Sequence, residues 1–117
     1  MEQSSLIDTK SIKKISQMMK PERFRKFKDV ALSTLTELSV NLDQAFLDNN
    51  IKEMHRSVHS IKSSAQYMGG LSIADQAQAL ENQFKNENTE GAEQAIAELQ
   101  VDLKNFILEL KDYSPLH

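Results

Sequence analysis

The sequence predicts an all-α fold: an antiparallel up-and-down four-helix bundle with a short additional N-terminal helix across one end. Three observations carry this. Apolar residues recur at steps of three and four almost throughout, and strand-like alternation is nowhere sustained. Only three Gly and two Pro occur, so few breakers interrupt the periodic runs. The runs are long and the connections short, which places consecutive helices side by side and antiparallel. At 117 residues the chain is one domain, large enough for a single core without metal or disulfide staples.

A short first helix is expected over about 8–19, with Asp8 or Thr9 as cap and Ile12, Ile15, Met18 and Met19 as its apolar stripe. Pro21 ends it and then suits the first turn of the second helix, 21–48. That helix carries Phe24, Phe27, Ala31, Leu35, Leu38, Leu42 and Ala45 inward. Asn49-Asn50 signals a turn and a cap. The third helix, 50–69, has the seam Ile51, Met54, Val58, Ile61, Ala65 and Met68, and ends at Gly69-Gly70. The fourth, 71–86, turns Ile73, Ala77, Leu80 and Phe84 inward until Asn86-Glu87-Asn88 interrupts it. Thr89, with Glu90 and Glu93 in the first turn, opens the last helix, 89–113. Its seam is Ile96, Leu99, Leu103, Phe106, Leu110 and Tyr113, and Pro115 closes it. The first helix is too short to be a full member of the bundle, so its stripe covers the open end.

Composition removes several functions. There is no Cys, hence no disulfide framework and no thiolate metal site. No apolar run approaches the roughly 20 residues that span a bilayer. The opening MEQSSLIDTK has neither the basic nor the apolar region of a signal peptide. A monomeric cytoplasmic protein, independent from Met1, is expected. The net charge of -3, from 14 basic and 17 acidic residues, argues against a nucleic-acid binder. The basic stretches KSIKK and KPERFRKFK, within residues 10–28, read as a solvated helix face. The acidic pairs Glu93/Glu98 and Glu87/Glu90 lie on solvent-facing stretches and show no burial signal for acid–base work.

The third helix carries the candidate chemistry. With 100° per residue, its six seam positions average about 130° from His59, which therefore points out of the core. Gln66 falls about 20° from His59, Ser63 and His55 about 40°, Lys62 and Arg56 about 60°. A neutral imidazole is a competent nucleophile near neutral pH without a helper base. Lys62, one turn on, is placed to pair with a dianion on the ring, and the small Ser63 and Ser64 leave room for a partner. Nothing nearby is suited to activating water, so a phosphoryl group on this ring would be carried rather than hydrolysed. His55 and His59 have chelating spacing, but two imidazoles are half a zinc site and no third ligand follows, so no metal is expected. His117 reads as tail.

The run His59, Ile61, Lys62, Ser63, Ser64, Ala65, Met68, Gly69 resembles the signature of the histidine phosphotransfer (HPt) domains of multistep phosphorelays. Leu80-Glu81 also falls where that family often has a Leu-Glu pair, and length and helix order match over essentially the whole chain. The departure is Ser63, where the family has Gly. The resemblance implies that His59 is phosphorylated and that Lys62 stabilises the phosphoryl group, with Ser63, Gln66, His55 and Arg56 beside it. It implies two partners, the receiver domains of a hybrid sensor histidine kinase and of a response regulator, whose aspartates donate and accept the group. It implies no cofactor on this chain, Mg2+ belonging to the receiver, and no ATP site. No Walker loop or kinase Gly-rich loop is present in the sequence. The alternative is a helical adaptor that binds receivers or kinases without being phosphorylated. A second reading leaves part of the Ile12–Met19 stripe exposed as a pliable docking patch for a receiver helix.

Overall fold

The computed structural model describes residues 5–114, so Pro115 and His117 lie outside the described residues. It has five helices: α1 (Thr9–Gln17), α2 (Pro21–Leu47), α3 (Ile51–Tyr67), α4 (Leu71–Lys85) and α5 (Ala92–Asp112). The α2 helix packs on α3 and α5, and α4 packs on the same two, so the four long helices close into a ring around one core. That core is lined by the periodic residues of each helix. Leu35, Leu42, Val58, Ile61, Ala65, Ile73, Ala77, Leu99, Leu103, Phe106 and Leu110 are all fully buried.

All three connections between the long helices use one device. The chain leaves α2, α3 and α4 through a left-handed residue, Asn49 (φ 55°), Gly69 (φ 79°) and Glu87 (φ 55°). The next N–H then reaches back to a carbonyl of the last turn: Asn50 to Ala45 at 2.9 Å, Gly70 to Ala65 at 2.7 Å, Asn88 to Gln83 at 3.0 Å. This is the Schellman closure, which satisfies carbonyls that a helix end leaves open. Glycine is cheap at such a position and Asn tolerable, whereas Glu carries the Cβ penalty. Glu87→Gly is therefore expected to stabilise the fold by up to about 1 kcal/mol, read as a higher urea midpoint at unchanged slope.

The Gly69-Gly70 junction is also where α1 attaches. The Asp8 N–H donates to the Gly69 carbonyl at 2.7 Å, while the Asp8 side chain caps α1 by accepting from the Ser11 N–H at 3.0 Å. A Cβ on Gly69 would lie 3.0 Å from the Asp8 carbonyl oxygen and 3.2 Å from Ile12 Cβ. One on Gly70 would lie 2.8 Å from the Phe106 ring. The Leu6 N–H and Ser5 hydroxyl donate to the Glu109 carboxylate near the end of α5. The short helix thus lies over the end of the bundle at which α3 and α5 finish and α4 starts.

The structure corrects the expected elements at several places, with α3 confined to Ile51–Tyr67 and α2 and α4 each ending one residue early. The first helix stops at Gln17 rather than 19, with Met18 as its C-cap residue. Its stripe divides accordingly: Ile12 is fully buried, Ile15 and Met19 pack partly against the core, and Met18 is 78% exposed. Most of the stripe therefore covers the end of the core, and part of it, Met18, is exposed. Phe27, expected inward, is 41% exposed and meets Tyr67 edge-on, with ring centroids 6.0 Å apart. The last helix begins at Ala92 with Gly91 (φ 72°) as its N-cap residue, so Thr89 does not cap it. Residues 86–91 are taken up by the exit from α4 and a turn closed by Ala92 N–H on the Thr89 carbonyl, 3.1 Å.

Candidate functional site

Burial of one α3 face aims the other. Met54, Val58, Ile61, Ala65 and Met68 are at most 1% exposed, and they hold α3 so that the His59 side chain is 56% exposed. The helix starts cleanly, because the Asn50 side chain accepts from the Glu53 N–H at 3.1 Å. His59 lies in the middle of α3, two turns from either end, where the helix does not fray.

The decisive contact comes from the neighbouring helix. His59 Nδ1 lies 2.7 Å from Glu81 Oε2, and Lys62 Nζ donates to Glu81 Oε1 at 2.8 Å and to Gln78 Oε1 at 2.9 Å. One α4 carboxylate therefore binds the imidazole with one oxygen and the ammonium with the other. His55 Nε2 stands 3.8 Å from the same Oε2, beyond hydrogen-bond length. A carboxylate only accepts, so the bond at Oε2 requires the ring proton on Nδ1 and leaves the Nε2 lone pair for chemistry. No hydrogen bond to His59 Nε2 exists among the described residues.

The electrostatics favour that arrangement at neutral pH. Burial pushes the Glu81 carboxyl up, but hydrogen bonds from Lys62 and His59, with their charges, outweigh it, and its pKa lies below the usual glutamate value. Glu81 is consequently an anion at neutral pH. Its contribution to stability is complete above its unfolded-state pKa and is lost as pH falls through the lowered folded value. An ammonium has three N–H donors, and α4 takes two of those on Lys62, which leaves one that α4 does not use.

The sequence-predicted residues do not all converge. His55 and Lys62 join His59 on the α4 flank. Ser63 lies on the opposite flank, where with Ile15, Tyr67 and the more central Gln66 it lines a shallow depression beside α1. Arg56 pairs with Glu53 of its own helix at 3.7 Å. The guanidinium is 75% exposed, so this surface pair does not fix it in place. Glu81 and Gln78 are the site residues that sequence reasoning missed. The signal for the first was the Leu80-Glu81 pair, in which the inward Leu80 sets its neighbour at the edge of the α3–α4 seam.

Among the described residues no group of three or more His, Asp or Glu side chains is arranged to hold a metal ion. His55, His59 and Glu81 gather around the carboxylate itself. Among those residues, too, no helix is long and apolar enough to cross a membrane. In comparisons with known proteins, the family model described as Hpt domain matches residues 26–112. No curated protein and no solved structure matches the chain.

Proposed function

This chain belongs to the Hpt domain family, and from that premise we propose that it is a phosphorelay intermediate carrying a phosphoryl group on His59. The group comes from the aspartyl phosphate of one receiver domain, that of a hybrid sensor kinase, and passes to the aspartate of another, that of a response regulator. The observation that supports this best is the 2.7 Å contact of His59 Nδ1 with Glu81 on an otherwise exposed imidazole. It presents Nε2 as a nucleophile with a defined tautomer.

In the transfer, the Nε2 lone pair attacks phosphorus as the bond from phosphorus to the aspartyl oxygen breaks, and the electron pair leaves on the aspartate. The ring becomes an N-phosphorylated imidazolium whose remaining proton, on Nδ1, stays against Glu81. The positive ring keeps Nε2 a good leaving group, so the reverse step onto another aspartate needs no further acid. Lys62 offers its spare N–H to the phosphoryl oxygens as a point charge. The receiver brings the Mg2+, and this chain brings no ATP-dependent step.

Incubation with a radiolabelled, phosphorylated receiver domain tests the reading. Label that is acid-labile, base-stable and confined to the peptide containing His59 is expected. Label on any other residue, or none from any receiver of the source organism, would reject it, the latter in favour of a non-phosphorylated adaptor.

Glu81→Gln keeps the volume of the side chain and removes its charge. A hydrogen bond to a charged group contributes about 1.5–3 kcal/mol, so transfer in both directions should slow by roughly 10- to 100-fold in rapid-quench measurements. Nitrogen-15 shifts of the His59 ring should then report a mixture of tautomers in place of the Nδ1–H form.

A further inference from the structure

The cations of this chain are unevenly placed. Residues 10–28 hold eight Lys or Arg against one acid, Glu22, in a protein whose net charge is -3. Read alone, that stretch is a solvated helix face, and the fold gives it a more particular shape. Lys20, Arg23 and Lys26 rim a groove of about 520 Å³ along the start of α2, together with Glu22, and its apolar floor is Phe27 and Val30. Val30 is 64% exposed, and none of the three rim cations has an acidic partner among the described residues. A purely solvated face has no need of an apolar floor.

The groove is continuous with the phosphoryl site. Phe27 meets Tyr67, and Tyr67 shares the depression on the α2 flank with Ser63 and Gln66, the latter two beside His59. Along α3, Tyr67 is eight residues from His59, about 12 Å. A protein partner covering about 800 Å² on each side reaches roughly 16 Å from its centre. A receiver centred on His59 therefore reaches Tyr67, whose ring meets Phe27 at the edge of the groove, whereas the acidic residues of the α4–α5 turn lie at the other end of the bundle.

The geometry points to this groove as a second contact for the receiver domain, filled by an apolar helix or loop with acidic residues at its rim. The inference rests on the phosphorelay reading and adds to it where a receiver's charge is recognised. Two physical effects follow. The unpaired cations steer a carboxylate-rich partner toward the His59 side of a chain that is acidic elsewhere, which raises the encounter rate. The Phe27 and Val30 floor, off the axis of transfer, fixes the rotation of the docked receiver without touching the phosphoryl group. The dependence should appear in kcat/KM and leave the rate within the complex nearly unchanged.

The test is an R23E/K26E variant of the full chain, with K85E/K104E as a control of equal charge change elsewhere. Phosphorylated receivers of the source organism are the probes, with the acid-labile label on His59 as readout. The groove variant is expected to lose about tenfold or more in kcat/KM at low ionic strength. It should reach the parent's rate at saturating receiver and lose the parent's salt dependence, and the control should behave as the parent. Equal kcat/KM and salt dependence in parent and groove variant overturn the inference while the label leaves the phosphorelay reading intact. Absence of label on the parent itself overturns both. Phosphatidylglycerol vesicles and duplex DNA are tested in parallel. Loss of binding to either in the groove variant, with receiver transfer unchanged, assigns the cations to that surface and also overturns it.

Discussion

A His59→Gln variant is expected to take up no phosphoryl group from any receiver that labels the parent. Glutamine is of similar length, and its NH2 can still donate to the Glu81 carboxylate, so the α4 side of the site keeps its hydrogen bonds. What disappears is the lone pair, since an amide nitrogen delocalises its pair into the carbonyl. The side chain is more than half exposed and outside the core, so stability should change by no more than about 0.5 kcal/mol. Label and melting curve together separate loss of the nucleophile from loss of the fold. A labelled His59→Gln protein would move the acceptor elsewhere, and His55, 3.8 Å from the same carboxylate, is where it would be sought. His55→Gln should keep its label.

Gly69→Val should be the most destabilising single change at the end of the bundle, at about 2–5 kcal/mol. Two costs combine. A β-branched residue is strained at φ 79°, and its Cβ would press on the Asp8 carbonyl, a backbone atom that cannot swing aside as a side chain can. Urea unfolding measures the loss, and Gly69→Ala should fall below it. The folded fraction should still accept label on His59, because the imidazole and Glu81 lie well over two turns from the junction. A loss under about 1 kcal/mol would mean that α1 lifts off freely and adds little to the core.

The residues that were legible in sequence are those whose position depends on one helix alone. The α3 seam is a single-helix pattern, and it foretold that His59 points outward with Lys62 beside it. Asn50 and the Gly69-Gly70 pair, which act within one or two turns, were equally readable. Phe27 was not: its spacing names a face of α2 but not whether a neighbour covers that face at its level, and its ring, which meets Tyr67 edge-on, stays 41% exposed. The capping role expected of Thr89 failed for a related reason, since the exit from α4 consumes the residues that would have formed the cap. Glu81 was hidden because its role is a distance across two helices. Which α4 residue stands level with His59 depends on how α3 and α4 slide past each other, and no periodicity within either records that register. The same holds for the division of the His59 face, with Lys62 and His55 toward α4 and Ser63 toward α1 and α2. The small residue expected to leave room for a partner sits on the flank where that partner's second contact is inferred. The Ser63 hydroxyl therefore borders the docking side and lies away from the Glu81–Lys62 pair.

The hydrogen bonds from Ser5 and Leu6 to Glu109 have a bearing on architecture beyond stability. With Lys28 Nζ donating to the Tyr113 carbonyl at 2.8 Å, they bring the two limits of the described chain to the same end of the bundle. The His59–Lys62–Glu81 cluster, meanwhile, lies wholly within the α3–α4 hairpin, 22 residues from His59 to Glu81. A unit whose entry and exit lie together, and whose working parts sit in its middle, is a cassette. It can be spliced into a longer polypeptide, or opened at the α4–α5 turn and rejoined through its old ends, without moving the imidazole relative to its carboxylate.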